Sequence, residues 1–223
     1  MQEHHITVPR TARYYTLGDA QGDVREVWFV CHGFSQLAGG FLRHFSAIDD
    51  GTRLIVAPEA LNRFYLDPPS VPTADRRVGA TWMTREERVT EISDYVSYLD
   101  ALYDRFFEEM KRDEVQVSAL GFSQGVATVS RWAVFGRASF DRIILWAGGV
   151  PPDLDLRQHG DRLRDARLTL VVGDRDEFIK PEHIEEQERR LRDHDIPFRM
   201  VRFDGGHAVT ADGLQAFVAL GEI

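Results

Sequence analysis

A single cysteine, Cys31, excludes an internal disulfide and with it the stapled scaffolds of small secreted domains. Lysine is nearly missing: of 27 Lys and Arg residues only Lys111 and Lys180 are lysine. The 36 Asp and Glu residues outnumber these cations and leave a net charge of −9, which argues against nucleic acid or an anionic membrane as a partner. No apolar run approaches the roughly 20 residues of a membrane helix, and Met1-Gln2-Glu3-His4-His5-Ile6 forms neither a basic nor an apolar leader. No Pro-, Gly- or Ser-rich stretch divides the chain, and no repeat recurs. These absences point to a soluble, acidic, cytoplasmic protein without integral membrane association. At 223 residues and 43% hydrophobic, residues 1–223 suit one domain with a sizeable core.

Short apolar runs alternate with longer amphipathic segments, the pattern of a mostly parallel α/β sheet covered by helices on both faces. Val27–Cys31, Leu54–Ala57, Val115–Leu120, Ile143–Trp146 and Leu168–Val172 read as doubly covered strands, and Phe198–Phe203, which alternates more, as one nearer an edge. A hairpin-like pair is expected around Tyr14-Tyr15 and Val24. Thr84 with Glu87 has capping-box spacing, and Val89, Ile92, Val96, Leu99, Tyr103, Phe106 and Met110 continue behind it as one apolar stripe. Further helices are expected over residues 39–47, 124–135, 181–194 and 210–220. In the fourth of the five, Glu185/Arg189, Glu186/Arg190 and Glu188/Arg192 read as i,i+4 pairs on a solvated face. Residues 59–80 and 148–167 lack regular patterning and leave the carboxyl ends of predicted strands, where open α/β sheets place their sites and where a lid could form.

One such strand runs into Gly121-Phe122-Ser123-Gln124-Gly125 and then into a helix-like segment. A sharp strand-to-helix turn lifts the Ser123 hydroxyl above the sheet edge, glycines two positions either side remove clashing side chains, and the helix N-terminus faces a developing oxyanion. A serine nucleophile needs a base, and the base an orienting acid. The acid is expected at Asp176 in Gly173-Asp174-Arg175-Asp176, with Asp174, nearer the strand end, as the alternative. The base is expected at His207, between Gly205-Gly206 and Ala208. Backbone donors to the oxyanion are expected from Phe34 and Gln124. His32 reads as a support for the loop that carries Phe34, and Cys31 as a buried hydrophobe. The other histidines, with His4 and His5 in a tail, lack metal-ligand spacing. Leu37, Phe64, Tyr65, Trp82, Met83 and Phe178 fall in loops on the same side and are candidates for an apolar substrate pocket.

With His32-Gly33-Phe34, Ala57-Pro58, Gly121-Phe122-Ser123-Gln124-Gly125, Gly173-x-x-Asp176 and Gly206-His207 in this order, the chain resembles the phospholipase/carboxylesterase group of α/β-hydrolases, which includes acyl-protein thioesterases and small bacterial esterases. The resemblance implies ester or thioester hydrolysis without cofactor or metal. It maps the nucleophile to Ser123, the acid to Asp176, the base to His207 and the oxyanion amides to Phe34 and Gln124. A serine carboxylesterase acting on small esters or other acyl substrates of short to medium chain is the expected activity. A thioesterase, a lysophospholipase-type hydrolase and an acyl transferase are alternatives; a non-catalytic binder on the same scaffold is disfavoured by the complete triad. An exposed apolar loop rim would suit a homodimer interface or a lipid-facing entrance. Three departures touch the pocket: the group's His-Gly-Leu-Gly-Asp loop reads His32-Gly33-Phe34-Ser35-Gln36, its Trp-aromatic-Asp segment reads Trp82-Met83-Thr84, and the glycine after Ser-Gln-Gly is Val126. Acyl-chain preference is therefore not carried over.

Overall fold

The computed structural model describes residues 1–221. Its strands are β1 (Tyr14–Leu17), β2 (Glu26–Cys31), β3 (Arg53–Pro58), β4 (Asn62–Tyr65), β5 (Val78–Thr81), β6 (Gln116–Phe122), β7 (Arg142–Trp146), β8 (Arg167–Gly173) and β9 (Phe198–Phe203). Its helices are α1 (Ala38–Leu42), α2 (Arg88–Phe107), α3 (Gln124–Phe135), α4 (Leu156–His159), α5 (Asp161–Asp165), α6 (Pro181–Arg192) and α7 (Ala211–Gly221). Seven strands form one sheet in the order β1-β3-β2-β6-β7-β8-β9, parallel except for β1. The carboxyl ends of β2, β6, β8 and β9 therefore open on one edge of the sheet.

Side chains alternate along each central strand and feed two cores. Val27, Phe29, Cys31, Val117, Ala119, Ile143 and Leu145 face α2, α3 and α6; Trp28, Val30, Leu120, Phe122, Ile144 and Trp146 face α1 and α7. Because both faces are covered, the strands read as unbroken apolar runs. Buried Asp100 of α2 accepts hydrogen bonds from the Trp132 indole and the Arg137 and Ala138 amides, tying α2 to the end of α3.

Several expectations change. Tyr14-Tyr15 forms no hairpin with the Val24 region; β1 pairs antiparallel with β3, from Tyr14 opposite Pro58 to Leu17 opposite Ile55. The long helix starts at Arg88, because Glu87 takes a left-handed conformation (φ 51°) and breaks the run from Thr84. The Thr84 amide instead donates to Glu91 Oε2 at 2.6 Å, so Thr84 and Glu87 do not form a capping box, and Val89 is exposed. The stretch 59–80 contains the β4–β5 hairpin, and 148–167 contains α4 and α5. Glu188 and Arg192 pair at 2.6 Å as expected, but Arg190 turns inward: its guanidinium donates to the Val150, Pro151 and Leu154 carbonyls and holds that segment on α6.

Candidate active site

The turn between β6 and α3 places Ser123 at φ 51°, ψ −113°, a conformation costly for any residue with a side chain. The Ser123 amide donates to the Trp146 carbonyl at 3.0 Å, and its carbonyl accepts from Val126 at 3.0 Å. The flanking glycines have steric reasons. A Cβ on Gly121 would stand 2.2 Å from the Gly125 carbonyl oxygen, and one on Gly125 would stand 2.1 Å from the Cys31 carbonyl oxygen. The first turn of α3 thus rests directly on the backbone that leads into His32-Gly33-Phe34.

On the neighbouring strands, the Asp174 amide donates to the Phe203 carbonyl and the Arg175 amide to the Gly205 carbonyl, both at 2.9 Å. The loops after β8 and β9 approach so closely that a Cβ on Gly173 would lie 2.3 Å from the Gly205 oxygen. This approach sets Asp176 beside His207. The Asp176 side chain is 0% exposed; its Oδ2 accepts from His207 Nδ1 at 2.8 Å, and its Oδ1 accepts from the Phe178 and Ile179 amides at 2.9 and 3.0 Å. With Nδ1 donating, His207 Nε2 is the acceptor for the Ser123 hydroxyl, 3.0 Å away. Asp174, the alternative acid, points elsewhere, toward Arg202 at 3.5 Å.

The loop carrying Phe34 is held from several sides. Buried His32 donates from Nδ1 to the Gly33 carbonyl at 2.8 Å and accepts at Nε2 from the Ala60 amide at 3.1 Å. Burial holds its pKa below the usual histidine range, against the raising effects of the Gly33 bond and Glu59, so the ring serves as a neutral brace. Ser35, at φ 66°, donates from its amide to the Ala80 carbonyl, and the Gly33 amide donates to Gln36 Oε1 at 2.8 Å. Beneath lies Glu59, whose fully buried carboxylate accepts from Arg13, Arg63 and the Ala38 amide. Burial alone would raise this carboxyl, but hydrogen bonds from Arg63 and Arg13 outweigh it and hold the group below the ordinary carboxylate range. Burial pushes the Cys31 thiol up, which makes it a poor nucleophile.

The apolar candidates separate into groups. Phe178, 61% exposed, meets the His207 ring edge-on at 4.8 Å, and Phe34, 57% exposed, stacks on Phe64 at 5.3 Å. Tyr65 follows Phe64 on β4 and so faces the opposite side of the hairpin, where Arg76 lies over its ring. Leu37 is half-buried and packs against the core. Trp82 lies inside the protein at 1% exposure, its indole donating to the His32 carbonyl at 2.9 Å; it props the loop from below and is not an open wall. Met83 is half-buried, and its carbonyl accepts from Gln124 Nε2 at 2.9 Å.

Three contributions had no clear signal in sequence. The Gln124 side chain, beyond its amide, binds Thr81, the Trp82 amide and the Met83 carbonyl and fastens the β5 exit to the turn. A lone acid after an apolar strand, Glu59, proves to be a buried hub. Arg131 on α3 binds Asp153 at 2.8 Å, Arg88 joins the same carboxylate at 2.7 Å, and the pair clamps the 148–155 loop. Among the described residues, Glu3, His5 and Glu87 converge at the exposed surface, so His5 contacts the body of the protein and does not sit in a free tail.

No protein-family model and no curated protein sequence matches the chain. Solved structures do. The chain is similar to acyl-protein thioesterase 2 of Zea mays, with a TM-score of 0.69 at 11% identity over 95% of this chain and 98% of that one. It is similar to a carboxylesterase from Mesorhizobium loti, with a TM-score of 0.65 at 19% identity over 93% and 94%. Esterase PE8 gives 0.62 at 17% over 96% and 99%. This is an α/β-hydrolase fold. The likeness extends over nearly the whole length of each α/β-hydrolase compared. Among the described residues, no helix is long and apolar enough to cross a membrane.

Proposed function

We propose that the protein is a serine hydrolase of carboxylic esters. The observation that carries this reading is the hydrogen-bonded chain from Ser123 through His207 to a fully buried Asp176, at 3.0 and 2.8 Å, on a strained turn. His207 Nε2 takes the hydroxyl proton as Ser123 Oγ attacks the acyl carbon. The Phe34 and Gln124 amides stabilise the oxyanion, and Asp176 holds the tautomer and supports the imidazolium. The protonated His207 then gives its proton to the leaving alcohol; on deacylation it takes a proton from a water that attacks the acyl carbon, and as the acyl–Ser123 bond breaks it returns that proton to Ser123 Oγ, releasing the acid. Phe178 beside His207, and the Phe34–Phe64 stack, offer apolar surface to a small ester.

Thioester hydrolysis is the second reading, favoured by the likeness to a structure named an acyl-protein thioesterase. Matched oxygen and sulfur esters of one acyl chain separate the two by kcat/KM. The reading as a whole is tested by p-nitrophenyl acetate turnover and by fluorophosphonate labelling. Ser123→Ala is expected to abolish both while the circular dichroism spectrum stays unchanged. Undiminished turnover, or label on another residue, refutes the mechanism.

A further inference from the structure

The carboxamide of Gln124 is fully engaged. Its Nε2 donates to Thr81 Oγ1 at 2.8 Å and to the Met83 carbonyl at 2.9 Å, and its Oε1 accepts from the Trp82 amide at 3.1 Å. A backbone amide can only donate and a carbonyl can only accept, so these partners fix which end of the side chain is nitrogen. Glutamate would set an anion against the Met83 carbonyl, and methionine would leave the Trp82 amide, inside the protein, without an acceptor.

Trp82, 1% exposed, carries this hold to the far side of the site. Its indole donates to the His32 carbonyl at 2.9 Å, and its ring lies over the His32 ring at 5.2 Å and 35°. His32 Nδ1 in turn donates to the Gly33 carbonyl at 2.8 Å. That carbonyl belongs to the same peptide unit as the Phe34 N–H, and in a trans peptide the two point in opposite directions. Whatever fixes the Gly33 carbonyl against His32 therefore also aims the Phe34 amide.

We propose that Gln124 is a positioning residue that couples the two oxyanion donors. Its own amide is one donor; its side chain, through Trp82 and His32, sets the direction of the other, Phe34. The inference rests on the serine-hydrolase reading and adds to it a link between β5, α3 and the His32-Gly33-Phe34 loop. Two backbone donors stabilise one oxyanion only when both stand about 3 Å from it. One side chain bonded across the helix and the strand keeps that spacing.

The test uses Gln124→Met, which keeps the chain length and loses the amide, and Trp82→Phe, which keeps a ring and loses the indole N–H. Kinetics on p-nitrophenyl acetate are read beside the Ki of 1-butaneboronic acid, which forms a tetrahedral adduct on serine and places an oxygen where the oxyanion stands. Each variant is expected to lower kcat about tenfold with KM little changed, and to raise the boronic acid Ki by the same factor, since only the tetrahedral state uses the donors. The double variant is expected to lose no more than the weaker single, because both break one linkage. If Gln124→Met does not fold, Trp82→Phe decides alone through kcat and Ki. An unchanged boronic acid Ki in Trp82→Phe, or losses that multiply in the double variant, overturn the proposal. Absence of Ser123-dependent turnover in the unmodified protein would instead remove the hydrolase reading, and this inference with it.

Discussion

Gly125→Ala tests whether the turn carrying the proposed nucleophile is held by backbone contact. In an ordinary helix this change would be favourable by about 0.5–1 kcal/mol, since alanine loses less conformational entropy than glycine. Here the added Cβ would stand 2.1 Å from the Cys31 oxygen and 2.8 Å from both the Cys31 carbon and the His32 oxygen, where ordinary contact begins at 3.4 Å. All three atoms are backbone, and Cys31 is paired with Gly121 across β2 and β6, so no side chain can swing aside. The start of α3 must back away from the His32-Gly33-Phe34 loop by on the order of 1 Å, enough to cost roughly a hundredfold in rate where groups must be aligned. Overpacking of this kind costs about 1–3 kcal/mol, so the net effect is a loss of about 1–2 kcal/mol in stability. Gly40→Ala is the control, because a Cβ there meets nothing within 4 Å. It is expected to leave turnover unchanged and to be neutral or stabilising by up to about 1 kcal/mol. Urea unfolding and p-nitrophenyl acetate kinetics on both variants give the answer. A Gly125→Ala protein as stable and as active as Gly40→Ala would refute the reasoning.

Asp176→Asn keeps the shape of the acid but donates where it should accept, and is expected to lower kcat by about 10⁴ with KM little changed; a loss under tenfold would point to another acid. His32 makes stability depend on pH: its folded pKa lies below the unfolded value of about 6.5, so its contribution is complete above that value and is lost as pH falls toward the folded pKa. His32→Gln should therefore flatten the fall in unfolding free energy between about pH 7 and pH 5, and an unchanged slope would exclude this source. Asp153→Ala leaves Arg131, only 3% exposed, without its carboxylate. The expected loss is about 2 kcal/mol by urea unfolding, below the usual figure for a broken buried pair because Asp153 is itself 38% exposed. A change under about 0.5 kcal/mol would show that the clamp is dispensable.

The fold was legible because strands buried on both faces write themselves as unbroken apolar runs, and the candidate triad because its members lie at strand exits in a fixed chain order. What escaped has a common physical reason. The partners of β1 and of the Gln124 side chain, and Arg13 and the Ala38 amide at Glu59, are remote in sequence, and neither periodicity nor spacing encodes who meets whom across a sheet. The capping box failed for a local reason, the left-handed residue at Glu87. Arg190 failed for the opposite one: an i,i+4 spacing cannot reveal that three carbonyls lie closer than the expected glutamate. Trp82 falls on the side expected to be catalytic by chain order, yet its indole is turned inward by the His32 carbonyl, an orientation that only packing decides.

The contact between the loops after β8 and β9 has a kinetic corollary. β9 is the last strand of its sheet, bonded along one side only, whereas the serine is mounted on a central strand flanked on both. Breathing of the molecule that peels away its margin would carry off His207, the proposed general base, first and leave Ser123, the proposed nucleophile, standing on an intact frame. Inactivation on warming should therefore run ahead of the collapse of the sheet, with the interior strands still protected from hydrogen exchange when hydrolysis has already ceased.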